Sequence, residues 1–445
     1  MQIRKFKPIS LAILVSCIQA CSSTPEQDRE LRVSHESMTQ DITYLASDEL
    51  KGRGNFSPEI KLAADYIAQR FGQIGLQALA SESDFLQRFS LFELTPKSLA
   101  VSLDGQALPA DALAIASTVR SVTWNDLSDV NLVKITKDDD VRSVISSANQ
   151  AGGQHLILID STHKDWFTRY QAYFARGLRK NSDTETGTIV LVLTDELEPK
   201  QIKVQAETQV AKREIANVVG VLPGKSKPNE IVLYSAHYDH LGQIGEGQDV
   251  IYNGADDDAS GTTAVLNLAQ HFAEQGQNER TLMFAAFTAE EIGGFGSQYF
   301  SKQLSPDDIV AMINIEMIGK PSKFGPGTMW MTGPKRSDLQ QLLNQELAET
   351  GSQVYADPYP EQQLFYRSDN ATLAGFGVPA HSFSSTQLDK DQHYHKVTDD
   401  LASLDLASMY QVIQTLAVAT EGLNKGDVTP SRIEPVEAKS SGLIY

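Results

Sequence analysis

The chain has 445 residues, of which 41% are hydrophobic and 21% charged, so it is long enough for two domains with sizeable cores. Its 38 Lys and Arg residues against 57 Asp and Glu residues give a formal net charge of −19. That balance excludes a nucleic-acid-binding protein, which needs a basic stripe, and an acidic surface mostly favours solubility.

The first 21 residues are interpreted as an export signal. Basic residues near the start precede a short apolar run, residues 9–18, that is too short to span a bilayer. Both cysteines of the chain, Cys17 and Cys21, end segments that resemble a bacterial lipoprotein cleavage site, and no disulfide is expected. Cys17 fits the pattern more closely, whereas Cys21 gives a longer apolar run and a polar tether; we take Cys21 as the anchor and Cys17 as the alternative. We therefore expect a lipid anchor at the cell envelope, in the outer membrane or at the periplasmic face. The alternative is an ordinary secretory signal in which the cysteines are incidental.

Residues 22–97 are predicted to form N-terminal helices of the main domain. Ser57-Pro58 opens a helix whose apolar residues recur every three or four positions, and Gly75 is placed to end it.

Residues 98–210 lack a clear period and are predicted to form a smaller inserted domain, mixed α/β or β-rich. Its best-defined segment is residues 148–159, which we interpret as a helix end, a glycine turn and a buried strand.

From residue 211 the pattern changes to alternating strands and helices. Four near-continuous apolar runs are typical of strands buried on both faces, and they lie at residues 231–236, 281–288, 310–317 and 378–383. Helical patterns lie between and after them, as at residues 262–273 and 404–423. The predicted fold of residues 211–425 is a three-layer α/β sandwich with a mostly parallel mixed central sheet, followed by a polar tail at 426–445.

Carboxylates and imidazoles follow these strands, at the sheet edge where open α/β sheets place their sites. Three strand ends lead into H-Y-D-H-L-G (237–242), T-A-E-E (288–291) and N-I-E-M (314–317), and G-A-D-D-D-A-S-G (254–261) and H-Y-H-K (393–396) lie in turns or loops. Successive aspartates repel each other unless a cation lies among them, and paired glutamates suit a metal ligand plus a general base. Glu316 inside a buried strand needs a partner. Without thiolates, this set suits zinc, cobalt or manganese.

These five segments, in this order, resemble the co-catalytic zinc aminopeptidase family, which includes bacterial leucyl aminopeptidases, glutamate carboxypeptidase and glutaminyl cyclase. The resemblance covers roughly residues 40–80 and 215–425, including L-A-S-D-E-L-K-G-R-G (45–54) and R-S-D-N-A-T-L-A-G-F-G-V-P-A (367–380). It implies two zinc ions per chain and one role for each matching side chain: His237 and Glu316 on one zinc, Glu291 and His395 on the other, Asp257 bridging both, Asp239 orienting His237, and Glu290 as general base.

Two positions depart from the family pattern, which usually has Asp at Glu316 and His at Asn370. His395 is preferred to His393 because the family carries its ligand in a Tyr-His pair, and His240 matches a family position that is not a ligand.

The resemblance implies a zinc-dependent exopeptidase that acts on peptides, most simply an aminopeptidase. A carboxypeptidase of the same fold, a glutaminyl-cyclase-like transferase and a catalytically silent binding module are the alternatives, and the intact His237 argues against the cyclase. Residues 98–210 resemble the family's protease-associated insert more faintly, and an unrelated lid is equally compatible with them.

Overall fold

Residues 33–435 are described by the computed structural model, and they fold around a large mixed β-sheet. The predicted export signal with Cys17 and Cys21, and residues 436–445 of the predicted tail, lie outside the described residues. In this part of the chain, no helix has the length and apolar character needed to cross a membrane. The helices are α1 (His35–Leu45), α2 (Pro58–Ile74), α3 (Val141–Ala151), α4 (Lys164–Ala175), α5 (Gly261–Gln275), α6 (Phe295–Ser301), α7 (Leu339–Glu346), α8 (Asn370–Gly375), α9 (Leu406–Ala419) and α10 (Glu421–Lys425).

The strands alternate with these helices in the second half of the chain. They are β1 (Leu86–Leu103), β2 (Gln106–Ala107), β3 (Leu113–Ser117), β4 (Ser121–Trp124), β5 (Asn131–Ile135), β6 (Gly153–Ile159), β7 (Leu178–Lys180), β8 (Gly187–Leu193), β9 (Ile202–Leu222), β10 (Lys227–His237), β11 (Gly242–Gln243), β12 (Ile251–Tyr252), β13 (Arg280–Phe287), β14 (Ile309–Ile315), β15 (Met329–Met331), β16 (Val354–Ala356) and β17 (Ala380–Ser384).

The central sheet has the strand order β16-β15-β17-β14-β10-β13-β9-β1-β2. Its middle is parallel, because β10 pairs in parallel with both β13 and β14, and β14 pairs in parallel with β17. All residues of β13 are buried, as expected for a strand covered on both faces. The predicted fold, an α/β sandwich around a mostly parallel mixed sheet, is confirmed.

Helices cover both faces of the sheet. Along β10 the side chains alternate, so that Tyr234 contacts Phe272 of α5 on one face and Leu233 lies in the core with Phe300 of α6 on the other. α2 begins and ends as predicted, because the Ser57 side chain accepts a hydrogen bond from Ile60 N and Gly75 has a left-handed φ of 87°.

The predicted insert contains a second, four-stranded sheet in the order β3-β8-β6-β5, with α3 and α4 against it. Residues 148–159 match the prediction, since α3 leads through Gly152 into β6. The predicted boundaries fall inside β1 and β9, which pair with each other along almost their whole length and pass from the central sheet into the insert. The independence of this domain therefore stays a prediction.

β1 and β9 form a long antiparallel ribbon that extends beyond the carboxyl end of β13. β9 runs antiparallel to β13, with Val218 opposite Ala286. The residues of β9 that precede Val218 therefore extend past the carboxyl end of β13, and the insert lies on that side of the sheet.

Candidate metal centre

The side chains of the candidate site meet where three parallel strands end. His237 is the last residue of β10, and its neighbours across the sheet are Phe287 in β13 and, two residues earlier, Asn314 opposite Ser235. The glutamate pair after β13 and Glu316 after β14 therefore emerge beside His237. We call this edge of the sheet the carboxyl edge.

Two sets of donor atoms share the carboxylate of Asp257. His237 Nε2 lies 3.2 Å from Asp257 Oδ1 and 3.2 Å from Glu316 Oε1. His395 Nε2 lies 3.2 Å from Asp257 Oδ2 and 3.3 Å from Glu291 Oε2. The structure thus brings together all five residues that the resemblance implies as ligands.

These spacings fit zinc. Donors at about 2.0 Å from a tetrahedral zinc ion are separated by roughly 3.3 Å, which is the separation observed in both sets. The donors are imidazoles and carboxylates, and the side chains of His237, Asp257 and Glu291 are almost fully buried. His395 is the most exposed, with 37% of its side chain accessible, so this end of the site is open to solvent.

The carboxylates of the site outnumber its imidazoles, and they shift the pKa values of their neighbours. Hydrogen bonds to Asp257 and Glu291 raise the pKa of His395 to about 10. Burial and the charges of neighbouring carboxylates, Glu316 first among them, raise the pKa of Glu290 well above its usual range. A cation bound among these groups relieves the same repulsion.

Three non-glycine residues at the site have left-handed backbone angles. Ala289 precedes the glutamate pair with φ 59°, Met317 follows Glu316 with φ 55°, and His395 itself has φ 55°. Such conformations are uncommon outside glycine and concentrate at functional sites, where the surrounding structure holds them.

Comparison with known proteins identifies the fold and the family. Residues 217–420 match the sequence profile of peptidase family M28. We call these residues the M28 domain. Leucine aminopeptidase 1 of Ajellomyces dermatitidis is 29% identical to this chain over 216 residues, which cover 46% of this chain and 55% of the relative. A probable zinc metalloprotease of Leptosphaeria maculans is 22% identical over 192 residues, which cover 42% of this chain and 43% of the relative. The chain therefore spans about half the length of the curated relatives it matches.

Solved structures share the fold over most of the chain. The zinc aminopeptidase of Bacillus subtilis has a TM-score of 0.55 at 16% identity, with 94% of this chain and all of that chain (100%) covered. An aminopeptidase from Aneurinibacillus sp. strain AM-1 has a TM-score of 0.54 at 17% identity, with 91% and 97% covered. Both alignments extend well beyond the M28 domain and therefore include part of the insert.

Asp239 organises the M28 site differently from the expectation. The Nδ1 atom of His237 lies 3.0 Å from the main-chain oxygen of Asp239, whereas the Asp239 carboxylate is 3.8 Å away. That carboxylate instead accepts hydrogen bonds from Asn55 Nδ2 and from the main-chain N–H groups of Glu290 and Glu291. The tight turn after β10 brings the carbonyl to the imidazole and leaves the side chain free to hold the glutamate pair.

His240 of the H-Y-D-H-L-G motif and His393 of the H-Y-H-K motif have different surroundings. His240 Nδ1 lies 2.6 Å from Glu291 Oε1, and neither ring nitrogen of this buried side chain has a hydrogen bond in the described residues. His240, Asp257 and Glu291 are thus a third group of donors in the M28 domain, which the resemblance did not imply. His393 is turned away, with Nδ1 2.8 Å from the main-chain oxygen of Thr398.

Several residues that hold the ligands were not identified from the sequence. Asp258 lies near His237 and Glu316, but its carboxylate accepts from the main-chain N–H groups of His237, Gly261 and Met317, which makes it an anchor. Asp399 accepts from Asp257 N at 3.1 Å.

Arg53 supports the same turns from the N-terminal segment. It is fully buried, and its guanidinium donates to the main-chain oxygens of Leu45, Tyr238, Asn253 and Gly254. The signal was present in the sequence as an arginine between two glycines, 52–54, inside the motif at residues 45–54, but three of its four partners are 185 to 201 positions away in the chain.

A chain of hydrogen bonds fixes the carboxylate of Glu316. Ser368 Oγ donates to Glu316 Oε2 at 2.7 Å and accepts from Asn314 Nδ2 at 2.8 Å. Asn314 also donates to Ser382 Oγ, which in turn donates to Asn370 Oδ1 at 2.9 Å. The two departures from the family pattern, Glu316 and Asn370, are therefore the ends of one network.

Ser368→Ala is expected to weaken one metal site of the M28 domain. Without its hydrogen bond, Glu316 loses the partner that turns Oε1 towards His237, and loss of such a supporting contact typically lowers metal affinity ~10- to 100-fold. Competition with a chromophoric chelator measures this affinity. Ser301→Ala is the matched control, since this buried serine donates to Ser297 O, away from the site. Equal zinc affinities in both variants would contradict the role of Ser368.

Proposed function

We propose that the chain is a zinc-dependent exopeptidase that binds two zinc ions and releases single residues from the amino end of peptides. The observation that carries the proposal is the pair of donor sets that share Asp257, with Glu290 beside them. Glu290 Oε2 lies 4.0 Å from His237 Nε2. The names of the curated relatives and of the structural neighbours support an aminopeptidase rather than a carboxypeptidase.

The chemistry assigned to Glu290 is proton transfer. Zinc bound at such a site lowers the pKa of a water molecule to near neutrality and polarises the scissile carbonyl. Glu290 accepts the proton of the attacking water and returns it to the leaving amine.

A cavity beside Glu316 is the proposed place for the released residue. It has a volume of about 420 Å³, and Met317, Trp330, Leu364 and Leu388 contribute apolar walls. These walls favour a large apolar side chain at the amino end.

Zinc analysis and a substrate panel test the proposal together. Purified protein is expected to contain two zinc ions per chain and to hydrolyse aminoacyl p-nitroanilides with apolar side chains fastest. One zinc with cyclisation of glutaminyl peptides would replace the proposal with a transferase. Release of residues only from the carboxyl end would replace it with a carboxypeptidase, and absence of zinc and activity with a binding module.

We also propose that the mature protein is held at the cell envelope by a lipid on Cys21, with Cys17 as the alternative. Ser22 follows Cys21 and Ile18 follows Cys17, so neither cysteine precedes an aspartate, which favours the outer membrane. Cys21→Ala is expected to shift the protein from the membrane fraction to the soluble fraction, measured by immunoblot. If Cys21→Ala, Cys17→Ala and the double variant all stay with the membrane, the lipid anchor is excluded.

A further inference from the structure

β9 has a stretch of edge without a partner strand that begins beside the carboxyl end of β13. One edge of β9 pairs with β1 from Ile202 to Val218. The other edge pairs with β13 at residues 218–222 and with β4 at residues 204–207. Between these two partners, residues 209–216 have no strand beside them within the described part of the chain. We call this stretch the open edge.

The main-chain groups of the open edge can be assigned from the ladder. Val219 N donates to Phe85 O, on the β1 side, so odd-numbered residues bond to β1 and even-numbered residues face the other way. The Ala216 oxygen, which accepts from the Tyr238 hydroxyl at 2.6 Å, agrees with this alternation. Lys212 and Glu214 therefore direct their N–H and C=O groups outwards, and no main-chain partner for them is found among residues 33–435.

A groove runs along the open edge. Its volume is about 540 Å³, and five consecutive residues, 212–216, line it. Neighbouring side chains of a strand point to opposite faces, so a cavity lined by consecutive residues follows the edge of the strand itself. Phe56, two residues before α2, and Ile60 in the first turn of α2 form the opposite wall. We call this cavity the side groove.

The side groove leads away from Glu290. Thr288, two residues before Glu290, lines its floor together with Tyr238, the residue after His237. Because Val218 lies opposite Ala286, the open edge begins at Ala216 beside the end of β13 and runs outwards to Thr208, whose N–H donates to Arg120 O. The cavity proposed for the released residue lies on the other side of the centre, towards β14 and β17.

We propose that the side groove binds the leaving segment of the peptide substrate as an added strand, antiparallel to β9. This inference rests on the proposed function. A peptide cleaved at Glu290 that runs towards Thr208 is directed opposite to β9, and its main-chain groups meet those of Glu214 and Lys212 in turn. The open edge has eight residues, 209–216, and an added strand would match them one to one.

The charges of the side groove favour recognition of the main chain over side chains. Both signs line it, with an excess of basic residues: Lys61, Arg88, Lys212 and Arg213 against Asp65 and Glu214. A groove that carries both signs excludes neither charge, whereas strand addition obtains its affinity from main-chain hydrogen bonds and tolerates varied sequences.

Peptides of increasing length test the inference. With a fixed amino-terminal residue, kcat/KM is expected to rise from the dipeptide to peptides of about five residues, and N-methylation of a peptide nitrogen that faces Glu214 or Lys212 is expected to lower it roughly three- to tenfold. N-methylation of the alternate nitrogen provides the control. Equal rates for both methylated peptides, with normal hydrolysis of a p-nitroanilide, would overturn the added strand and leave the exopeptidase intact; absence of hydrolysis of every substrate would overturn the proposed function itself.

Glu214→Pro tests the same edge from the protein side. Proline removes the outward N–H and is tolerated on strand edges, whereas Glu214→Ala changes the side chain and keeps the N–H. The ratio of kcat/KM for a pentapeptide to that for a p-nitroanilide is expected to fall roughly three- to tenfold with Glu214→Pro only. An equal fall in both variants would assign the effect to the side chain, and a dimer in light scattering that Glu214→Pro dissociates would assign the edge to a second copy of the chain; either result overturns the inference. If Glu214→Pro does not fold, the methylated peptides decide alone.

Discussion

Glu290→Gln is expected to lower kcat by about 100- to 10,000-fold, the usual contribution of a positioned general base. Glutamine has nearly the same shape as glutamate but cannot accept the proton of the attacking water. The hydrogen bond from Glu290 N to Asp239 Oδ1 involves the main chain and is retained in the variant. Hydrolysis of an aminoacyl p-nitroanilide and zinc content by atomic emission must be measured on the same preparation.

Full zinc content in Glu290→Gln separates loss of the base from loss of the metal. Gln298→Ala is a suitable control, because this partly buried residue of α6 donates to Gly293 O outside the metal centre. Turnover near the wild-type value in Glu290→Gln would remove Glu290 from the mechanism.

Glu316→Ala is expected to lose about one zinc ion per chain and most activity. His237 and Asp257 would be left as the protein ligands of that ion, and zinc is normally held by three or four. Glu316→Asp is expected to keep part of both, because the shorter carboxylate reaches less far from the strand and loses the hydrogen bond from Ser368. Equilibrium dialysis gives the zinc stoichiometry of each variant.

The hydrogen-bond network between Glu316 and Asn370 allows a further test of the Glu316→Asp variant. Asn370→His in the same chain changes the other end of the network, so the effects of the two substitutions on zinc affinity are expected to be non-additive. A Glu316→Ala protein that binds two zinc ions with wild-type affinity would refute the role of Glu316 as a ligand.

Much of the main domain could be predicted because its strands are buried on both faces. Strands buried on both faces appear in the sequence as apolar runs such as residues 281–288. The polar residues that follow each run can therefore be recognised as candidate site residues. Parallel strands all end at one edge, so residues such as His237 and Glu316 could be expected to meet although 79 positions separate them. The family resemblance then assigned a role to each.

The supporting residues could not be found in the same way. Arg53 and Asp399 act on main-chain groups, so their partners have no characteristic residue type, and only the folded chain shows which turns they reach. The resemblance assigned Asp239 to orient His237, but the turn presents the Asp239 carbonyl to the imidazole instead. In the insert, a usable signal was present: residues 202–208 alternate strictly between buried and exposed side chains, a period of two that indicates a strand.

The ribbon of β1 and β9 also has a consequence for chain entropy. Its two strands hold the ends of the insert side by side, so the connection between them begins and ends at almost the same point. Closing a loop between fixed ends costs only about 0.6 kcal/mol more for each doubling of its length. Segments of very different size can therefore be exchanged at the end of this ribbon with little thermodynamic effect on the metal centre, and a short hairpin in place of the insert would preserve the strand edge beside Glu290.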